Sequence, residues 1–93
     1  MNEDQGQDKD FIEFIVKQIV EFPEDVEVTR SVDEMGVLIS LKANKLDMGK
    51  IIGREGQTAK SLRTLLRIIG SKYNARVTLK IFDPTPLNQS NYA

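Results

Sequence analysis

Apolar residues recur at helical spacing near the start of the chain and predict an opening helix. The apolar stripe begins at Phe11, with Asp10 as the expected N-cap and Glu13 as its capping-box partner. Because proline disfavours helical backbone in the residue before it, we expect this helix to end near Phe22, before Pro23. The width of the stripe indicates that the helix covers one face of a sheet.

The alternating pattern that follows predicts two strands joined as an antiparallel hairpin. Residues 26–30 and 37–43 alternate apolar and polar positions, as half-buried strands do. The turn between them spans residues 31–36, where Gly36 is free to take a positive φ. In the second strand one face is apolar and consists of Val37, Ile39, Leu41 and Ala43.

Two more helical patterns follow, and only four residues separate them. The first begins at Lys45, with Asn44 as its expected N-cap, and stops at residues 53–56, which read Gly-Arg-Glu-Gly. The second runs from Gln57 or Thr58 to residue 73. A turn this short predicts that the two helices pack against each other at an angle.

The end of the chain supplies one more strand and completes the order of elements. Gly70 lies inside the last helical pattern, where it marks either a weak point or a place of close packing. Asn74 is expected to end that helix in a left-handed conformation, and residues 77–82 form the third strand. The order α-β-β-α-α-β predicts an α+β domain over residues 10–83. We expect a disordered acidic tail at residues 1–9 and a disordered tail at 84–93.

Composition narrows the possible functions. The chain has no cysteine and no histidine, so it lacks the thiolate, the usual general base and the commonest metal ligand. Gly-Arg-Glu-Gly also lacks the Lys-Ser/Thr ending of a nucleotide-binding P-loop. We therefore expect no enzyme, no cofactor, no metal site and no small-molecule substrate. Apolar runs are too short to span a bilayer, which predicts a cytoplasmic protein with no membrane partner.

Charge is distributed unevenly, although the formal net charge is −1. Residues 1–41 carry eleven Asp and Glu against three Lys and Arg, whereas residues 42–93 carry ten Lys and Arg against three Asp and Glu. Positive charge is therefore concentrated in the half that contains the glycine turn. This asymmetry is compatible with binding to nucleic acid despite the mildly acidic isoelectric point.

The glycine turn has the chemistry of a small anion site. Glycine lets a turn take dihedrals closed to other residues and lets a second backbone approach closely. The turn also opens a helix, whose first amides lack partners within the helix and whose dipole favours negative charge. Four basic residues surround that opening, namely Lys50, Arg54, Lys60 and Arg63. Together these features predict a site that holds a sugar-phosphate backbone.

At this point the sequence resembles a known family. Residues 51–56 are similar to the I-G-x-x-G core of KH domains, whose GxxG loop clamps about four nucleotides. The longer run 49–66, GKIIGREGQTAKSLRTLL, is similar to the small stand-alone bacterial KH proteins of the KhpA (YlqC-like) family. The resemblance covers residues 11–83. It implies a type II KH domain with one three-stranded mixed sheet covered on one face by three helices.

The resemblance also implies a function and a set of binding residues. Its implied activity is binding of single-stranded RNA, as an RNA chaperone or post-transcriptional regulator linked to cell shape and cell wall organisation. The glycine turn and basic helix would hold the RNA backbone, while an aliphatic groove would hold the bases. The expected RNA-binding residues are Lys50, Ile51, Ile52, Gly53, Arg54, Glu55, Gly56, Gln57, Thr58, Lys60, Arg63, Ile39 and Leu41.

Three further questions stay open from the sequence. Glu55 places a carboxylate inside the turn, where it would repel a phosphate. Family members are also expected to form homodimers or to pair with a larger, Jag-like KH protein. An alternative function is therefore a protein-interaction module whose helix–turn–helix surface is an interface with little RNA affinity. The sequence does not distinguish single-stranded RNA from single-stranded DNA.

Overall fold

Helices and strands follow one another in the predicted order in the computed structural model, which describes residues 6–82. Residues 1–5 and 83–93, which include most of both predicted tails, lie outside the described residues. Three short 3-10 turns, Pro23–Asp25, Lys45–Asp47 and Arg54–Gly56, lie between the regular elements. The regular elements are α1 (Gln7–Ile19), β1 (Glu27–Asp33), β2 (Gly36–Lys42), α2 (Met48–Ile52), α3 (Gln57–Lys72) and β3 (Val77–Ile81).

The three strands form one mixed sheet in the order β1-β2-β3. β1 and β2 pair antiparallel through residues such as Val28 and Leu41, and β2 and β3 pair parallel through residues such as Ile39 and Leu79. Because β2 is central, both of its edges are hydrogen-bonded to a neighbouring strand. The predicted α+β class and the three-stranded mixed sheet are confirmed.

The core lies between one face of this sheet and the three helices. The alternating residues Val37, Ile39 and Leu41 of β2 are buried, as the sequence pattern predicts. They pack with α1, α2 and α3 through a shared set of buried side chains, which includes Ile12, Val16, Ile51, Leu62 and Leu66. Burial of this apolar surface is the main stabilising contribution to so small a domain.

The hairpin between β1 and β2 is tighter than the sequence predicts. β1 continues to Asp33, whereas the alternating pattern predicted an end at Arg30. Gly36 adopts φ 125°, and a Cβ there would collide with the carbonyl oxygen of Arg76. The amide of Val37 donates to that same oxygen at 2.8 Å. The close approach therefore joins the hairpin to the segment before β3 and confirms the positive φ expected at Gly36.

The first helix begins earlier than predicted. It starts at Gln7 behind a left-handed Gly6, and Asp10 lies within the helix instead of capping it. Residues 7–9, assigned to a disordered tail by the sequence, are therefore helical. The reason is a distant contact, because the buried Asp8 carboxylate accepts a hydrogen bond from Nε of Arg30 at 2.8 Å. Periodicity cannot reveal an ion pair that joins residues so far apart in the chain.

The same helix also ends earlier than predicted. It stops at Ile19 because Val20 is extended, with φ −88° and ψ 162°. The next two amides, of Glu21 and Phe22, donate to the carboxylate of Asp47 at 2.9 and 3.1 Å. The carboxylate of a residue distant in sequence thus accepts the hydrogen bonds that backbone carbonyls would accept if the helix continued.

The last helix settles the question left open at Gly70. A Cβ at this position would lie 2.5 Å from the carbonyl oxygen of Ala75 and 2.9 Å from Cγ2 of Val77. Gly70 is therefore a place of close packing between α3 and the chain that leads into β3. Asn74 follows the helix with φ 58°, which confirms the expected left-handed residue.

Gly70→Ala should lower the free energy of unfolding by about 1–3 kcal/mol, because the added methyl group overpacks against backbone. Gly49→Ala is the matched control, since Gly49 is also helical and a Cβ there meets nothing within 4 Å. The control should raise stability by up to about 1 kcal/mol through helix propensity alone. Urea denaturation of both variants measures the difference. A stabilising Gly70→Ala would contradict the close packing.

Candidate nucleic-acid interface

Three of the four residues in the turn between α2 and α3 have positive φ, and Arg54 is the exception. Gly53 has φ 80° and ψ 170°, Glu55 has φ 56° and ψ 27°, and Gly56 has φ 75° and ψ 16°. The amide of Gly53 donates to the carbonyl of Gly49 at 2.8 Å, and the amide of Gly56 donates to the carbonyl of Gly53 at 3.1 Å. These bonds close the turn, so that α3 starts on a new axis directly after α2 ends.

The two glycines of the turn are required for different reasons. A Cβ on Gly53 would collide with the side chain of Thr58 and would lie 2.7 Å from its backbone nitrogen. The dihedrals of Gly53 also fall in a region that only glycine occupies readily. A Cβ on Gly56 would meet nothing within 4 Å. Gly53 thus brings the end of α2 against the start of α3, whereas Gly56 leaves open space on the outer side of the turn.

The start of α3 is arranged as an anion site. Gly56 occupies its N-cap position and has no side chain with which to cap the first amides. α3 is 16 residues long, and its dipole places partial positive charge at this end. Gln57, the first residue of the helix, is exposed, and Thr58 is half-buried against Gly53. An anion outside the turn could therefore approach the uncapped amides without displacing a side-chain cap.

Exposed basic side chains lie at this helix start and continue along α3. Arg54 lies in the turn, and Lys60, Arg63 and Arg67 follow along α3 at spacings that share a helix face. Among residues 6–82, no carboxylate lies within 4.0 Å of these four side chains. Lys50 differs, because its Nζ lies 3.5 Å from Oε2 of Glu21 in an exposed pair. Four cations at the site are therefore available to phosphates, and the fifth is held only weakly.

Glu55 is the one residue of the turn that opposes anion binding. It is exposed and takes a left-handed conformation, which is unfavourable for a residue with a side chain. Its carboxylate sits next to Arg54 in the turn. The turn therefore carries both backbone strain and a negative charge at its tip.

A shallow open depression continues from the turn along α3. It is lined by residues at positions that share one helix face, namely Gln57, Lys60, Ser61, Thr64 and Leu65. The sequence interpretation selected Gln57 and Lys60 but missed the other three. Their spacing of three and four residues was the available signal, because it places them on the face away from buried Leu62 and Leu66.

The apolar groove predicted for the bases is largely a misassignment. Ile39, Leu41 and Ile51 have no exposed surface and belong to the core. The first two lie on the helix-facing side of the central strand, and the third is the inward residue of α2. Ile52 is 39% exposed and is the one member of the predicted groove that reaches the surface. Alternation correctly identified a shared face, but that face is covered by the helices.

Other kinds of site find no support in the part of the chain that the structure describes. Over residues 6–82, no group of carboxylates is arranged to hold a metal ion. Within the same residues, no helix is both long and apolar enough to cross a membrane.

The α-β-β-α-α-β fold, with a glycine turn joining its second and third helices, defines a KH domain. The sequence profile of the KhpA/KhpB KH-domain family matches residues 9–81, and the chain belongs to this family. This range agrees closely with residues 11–83, which the resemblance to the KhpA family covers. Membership also confirms the prediction that the chain is not an enzyme, since this is a family of binding domains.

Similar proteins from several bacteria carry the name RNA-binding protein KhpA. The chain is 40% identical to the one from Chlamydia caviae over 75 residues, which cover 81% of this chain and 96% of that protein. It is 38% identical to the Clostridium perfringens protein over 73 residues, with coverage of 78% and 97%. It is 40% identical to the Borreliella burgdorferi protein over 78 residues, with coverage of 84% and 95%. No solved structure gives a significant match.

The unequal roles of the two glycines predict unequal costs of substitution. Gly53→Ala should destabilise the domain by about 3 kcal/mol or more, because strain in a glycine-only region adds to a collision with backbone. Gly56→Ala should cost only about 1–2 kcal/mol, the usual penalty for a left-handed alanine. Chemical denaturation of the two variants tests the difference. Equal costs would contradict the close contact between Gly53 and Thr58.

Proposed function

We propose that this protein binds single-stranded RNA through the glycine turn and the basic face of α3. The observation that carries the proposal is a set of exposed cations that have no carboxylate partner among residues 6–82, namely Arg54 in the turn and Lys60, Arg63 and Arg67 along the helix that begins uncapped after Gly56. Opposite charge, free amides and an open approach to Gly56 together suit a sugar-phosphate backbone. The names of the similar bacterial proteins support RNA as the partner.

In this proposal the turn positions the RNA backbone and α3 guides it. One phosphate contacts the first amides of α3 and the guanidinium of Arg54, and the open space at Gly56 admits the adjoining sugar. Lys60 and Arg63 attract the next phosphates along the helix face. Since these contacts are electrostatic, affinity falls as salt concentration rises. Glu55 lowers the affinity that the cations alone would give.

Recognition of bases by a single domain is expected to be weak. No Phe, Tyr or Trp occurs between residues 39 and 69, so the site lacks an aromatic surface on which bases could stack. The half-exposed Ile52 and the depression beside Leu65 offer aliphatic contact instead. Such a site suits a cytoplasmic RNA chaperone or post-transcriptional regulator with broad targets. A second binding domain would raise its affinity through avidity.

A second candidate function is protein interaction through the same helix pair. The observation that favours it is exposed apolar surface on α3, where Leu65 is 38% and Ile68 is 61% exposed. Helical spacing places both on a part of the outer surface of α3 separate from the basic row, and a second copy of the chain or a larger, Jag-like KH protein could cover them. This interface would bring two RNA sites together, or it would be the main function if RNA affinity is low.

Titration of labelled single-stranded RNA at two salt concentrations tests the proposed function. The wild type should bind, and the logarithm of its affinity should fall with the logarithm of salt concentration by about 0.7 per phosphate contact. The double variant Arg54→Asp with Glu55→Asp should lose most of this binding, because it places two carboxylates at the phosphate site. Single-stranded DNA of the same sequence, titrated in parallel, reports whether the 2′-hydroxyl contributes.

The matched control for this experiment is Arg76→Asp. It changes the net charge by the same amount at an exposed residue before β3, away from the turn. The control should keep nearly all of the RNA affinity. Circular dichroism confirms that each variant is folded. Equal RNA binding by the two variants, or none by the wild type, would refute the turn as an RNA clamp.

Self-association and RNA binding should respond to different substitutions on α3. Ile68→Asp should abolish association in sedimentation velocity experiments, because it places a charge in an apolar contact. Lys60→Gln with Arg63→Gln should leave association unchanged while weakening RNA binding by about tenfold or more. A wild-type protein that sediments as a monomer at all concentrations would rule out the homodimer, but not a different KH partner.

A further inference from the structure

Asp47 is a buried carboxylate whose two oxygens accept from a distant part of the chain. The residue has no exposed surface. Its Oδ1 accepts from the amide of Glu21 at 2.9 Å, and its Oδ2 accepts from the amide of Phe22 at 3.1 Å. Because α1 ends at Ile19, these two amides have no helical carbonyl to bond. From the sequence, Asp47 is expected only to stabilise the first turn of a helix through its charge. The structure shows that it also accepts these two hydrogen bonds.

Asp47 also lies directly before the helix that leads into the glycine turn. It is the last residue of the 3-10 turn Lys45–Asp47, and α2 begins at the next residue. α2 has five residues and buries only Met48 and Ile51. Two buried side chains fix the tilt of so short a helix poorly, since a helix of this length is not stable by itself. A fixed point at its start therefore constrains where its far end, and hence the turn 53–56, is placed.

Two surface contacts also join the segment after α1 to the region of α2, but they are weaker than the hydrogen bonds to Asp47. Nδ2 of Asn44 donates to Oδ2 of Asp25 at 2.9 Å, and the exposed pair of Lys50 and Glu21 is separated by 3.5 Å. Both compete with water and salt. The bonds to Asp47 are better shielded, because their acceptor has no exposed surface, and they are stronger because that acceptor is charged. Two bonds to one carboxylate also fix orientation as well as distance.

We propose that Asp47 is a positioning residue for RNA binding, which holds α2 and the glycine turn 53–56 in place against the end of α1 without touching RNA itself. This inference rests on the proposed function for the role of the turn. Its structural part, that Asp47 orders the turn, can be measured without RNA.

Asp47→Asn tests the proposal with almost no change in shape. The Asn amide keeps one acceptor oxygen, but its NH₂ group faces a backbone N–H and cannot accept a hydrogen bond from it. At a temperature where the variant is folded, its Kd for RNA should rise about tenfold. The reason is that the conformation in which the turn is positioned for RNA loses one hydrogen bond to a charged acceptor. Unchanged affinity would overturn the inference.

The matched control is Leu79→Val, which removes one methylene from a buried residue of β3. It lowers stability through the core but leaves the contacts of Asp47 intact. Thermal unfolding of both variants sets a temperature at which each is fully folded. The control should then keep the wild-type RNA affinity. If both variants lose affinity equally, Asp47 contributes only to general stability and the inference is wrong.

Amide hydrogen exchange supplies the measurement that needs no RNA. The amides of Gly53 and Gly56 donate to Gly49 and Gly53 within the turn, and their exchange rates report its order. Asp47→Asn should accelerate exchange at both amides, whereas Leu79→Val should not do so beyond its effect on global unfolding. Unchanged exchange in Asp47→Asn would overturn the inference. If wild-type protein fails to bind RNA, the proposed function falls, and the exchange rates still decide whether Asp47 orders the turn.

Discussion

The close contact between Gly53 and the first turn of α3 is the constraint on which the candidate site depends. Any side chain at this position would meet Thr58, so α2 and α3 can approach this closely only through glycine. That approach turns the chain sharply and leaves the N-terminus of α3 uncapped at the surface. The anion site is therefore a consequence of backbone packing, and the basic side chains around it add charge to a geometry that already exists.

Two buried carboxylates hold the rest of the domain around this turn. Asp8 pairs with Arg30 and ties the start of α1 to β1, while Asp47 accepts the amides that follow α1. Both are satisfied, as buried charges must be in a stable fold. A small domain has little apolar surface to bury, so contacts of this kind influence where its elements begin and end. They join parts of the chain that the apolar core alone leaves loosely connected.

Exposed groups on α3 suit both of the functions proposed for this helix, RNA binding and association. The basic row Lys60, Arg63 and Arg67 lies on one side of the outer surface of α3, and the exposed Leu65 and Ile68 lie on another. A helix whose inner face is filled by Leu62 and Leu66 has only its outer surface for both tasks. The weak base recognition expected of one domain makes a second site useful, and a shared helix would place two such sites near each other.

Local sequence determined much of this protein. Periodicity gave the number, type and order of the elements, and the alternation in β2 identified its inward face, because these patterns follow from backbone geometry. The glycines and cations of the turn likewise pointed to the candidate site. Only the tertiary structure decided the ends of α1, which depend on Arg30 and Asp47. It also placed Ile39, Leu41 and Ile51 in the core, because alternation reveals a shared face but not what covers it.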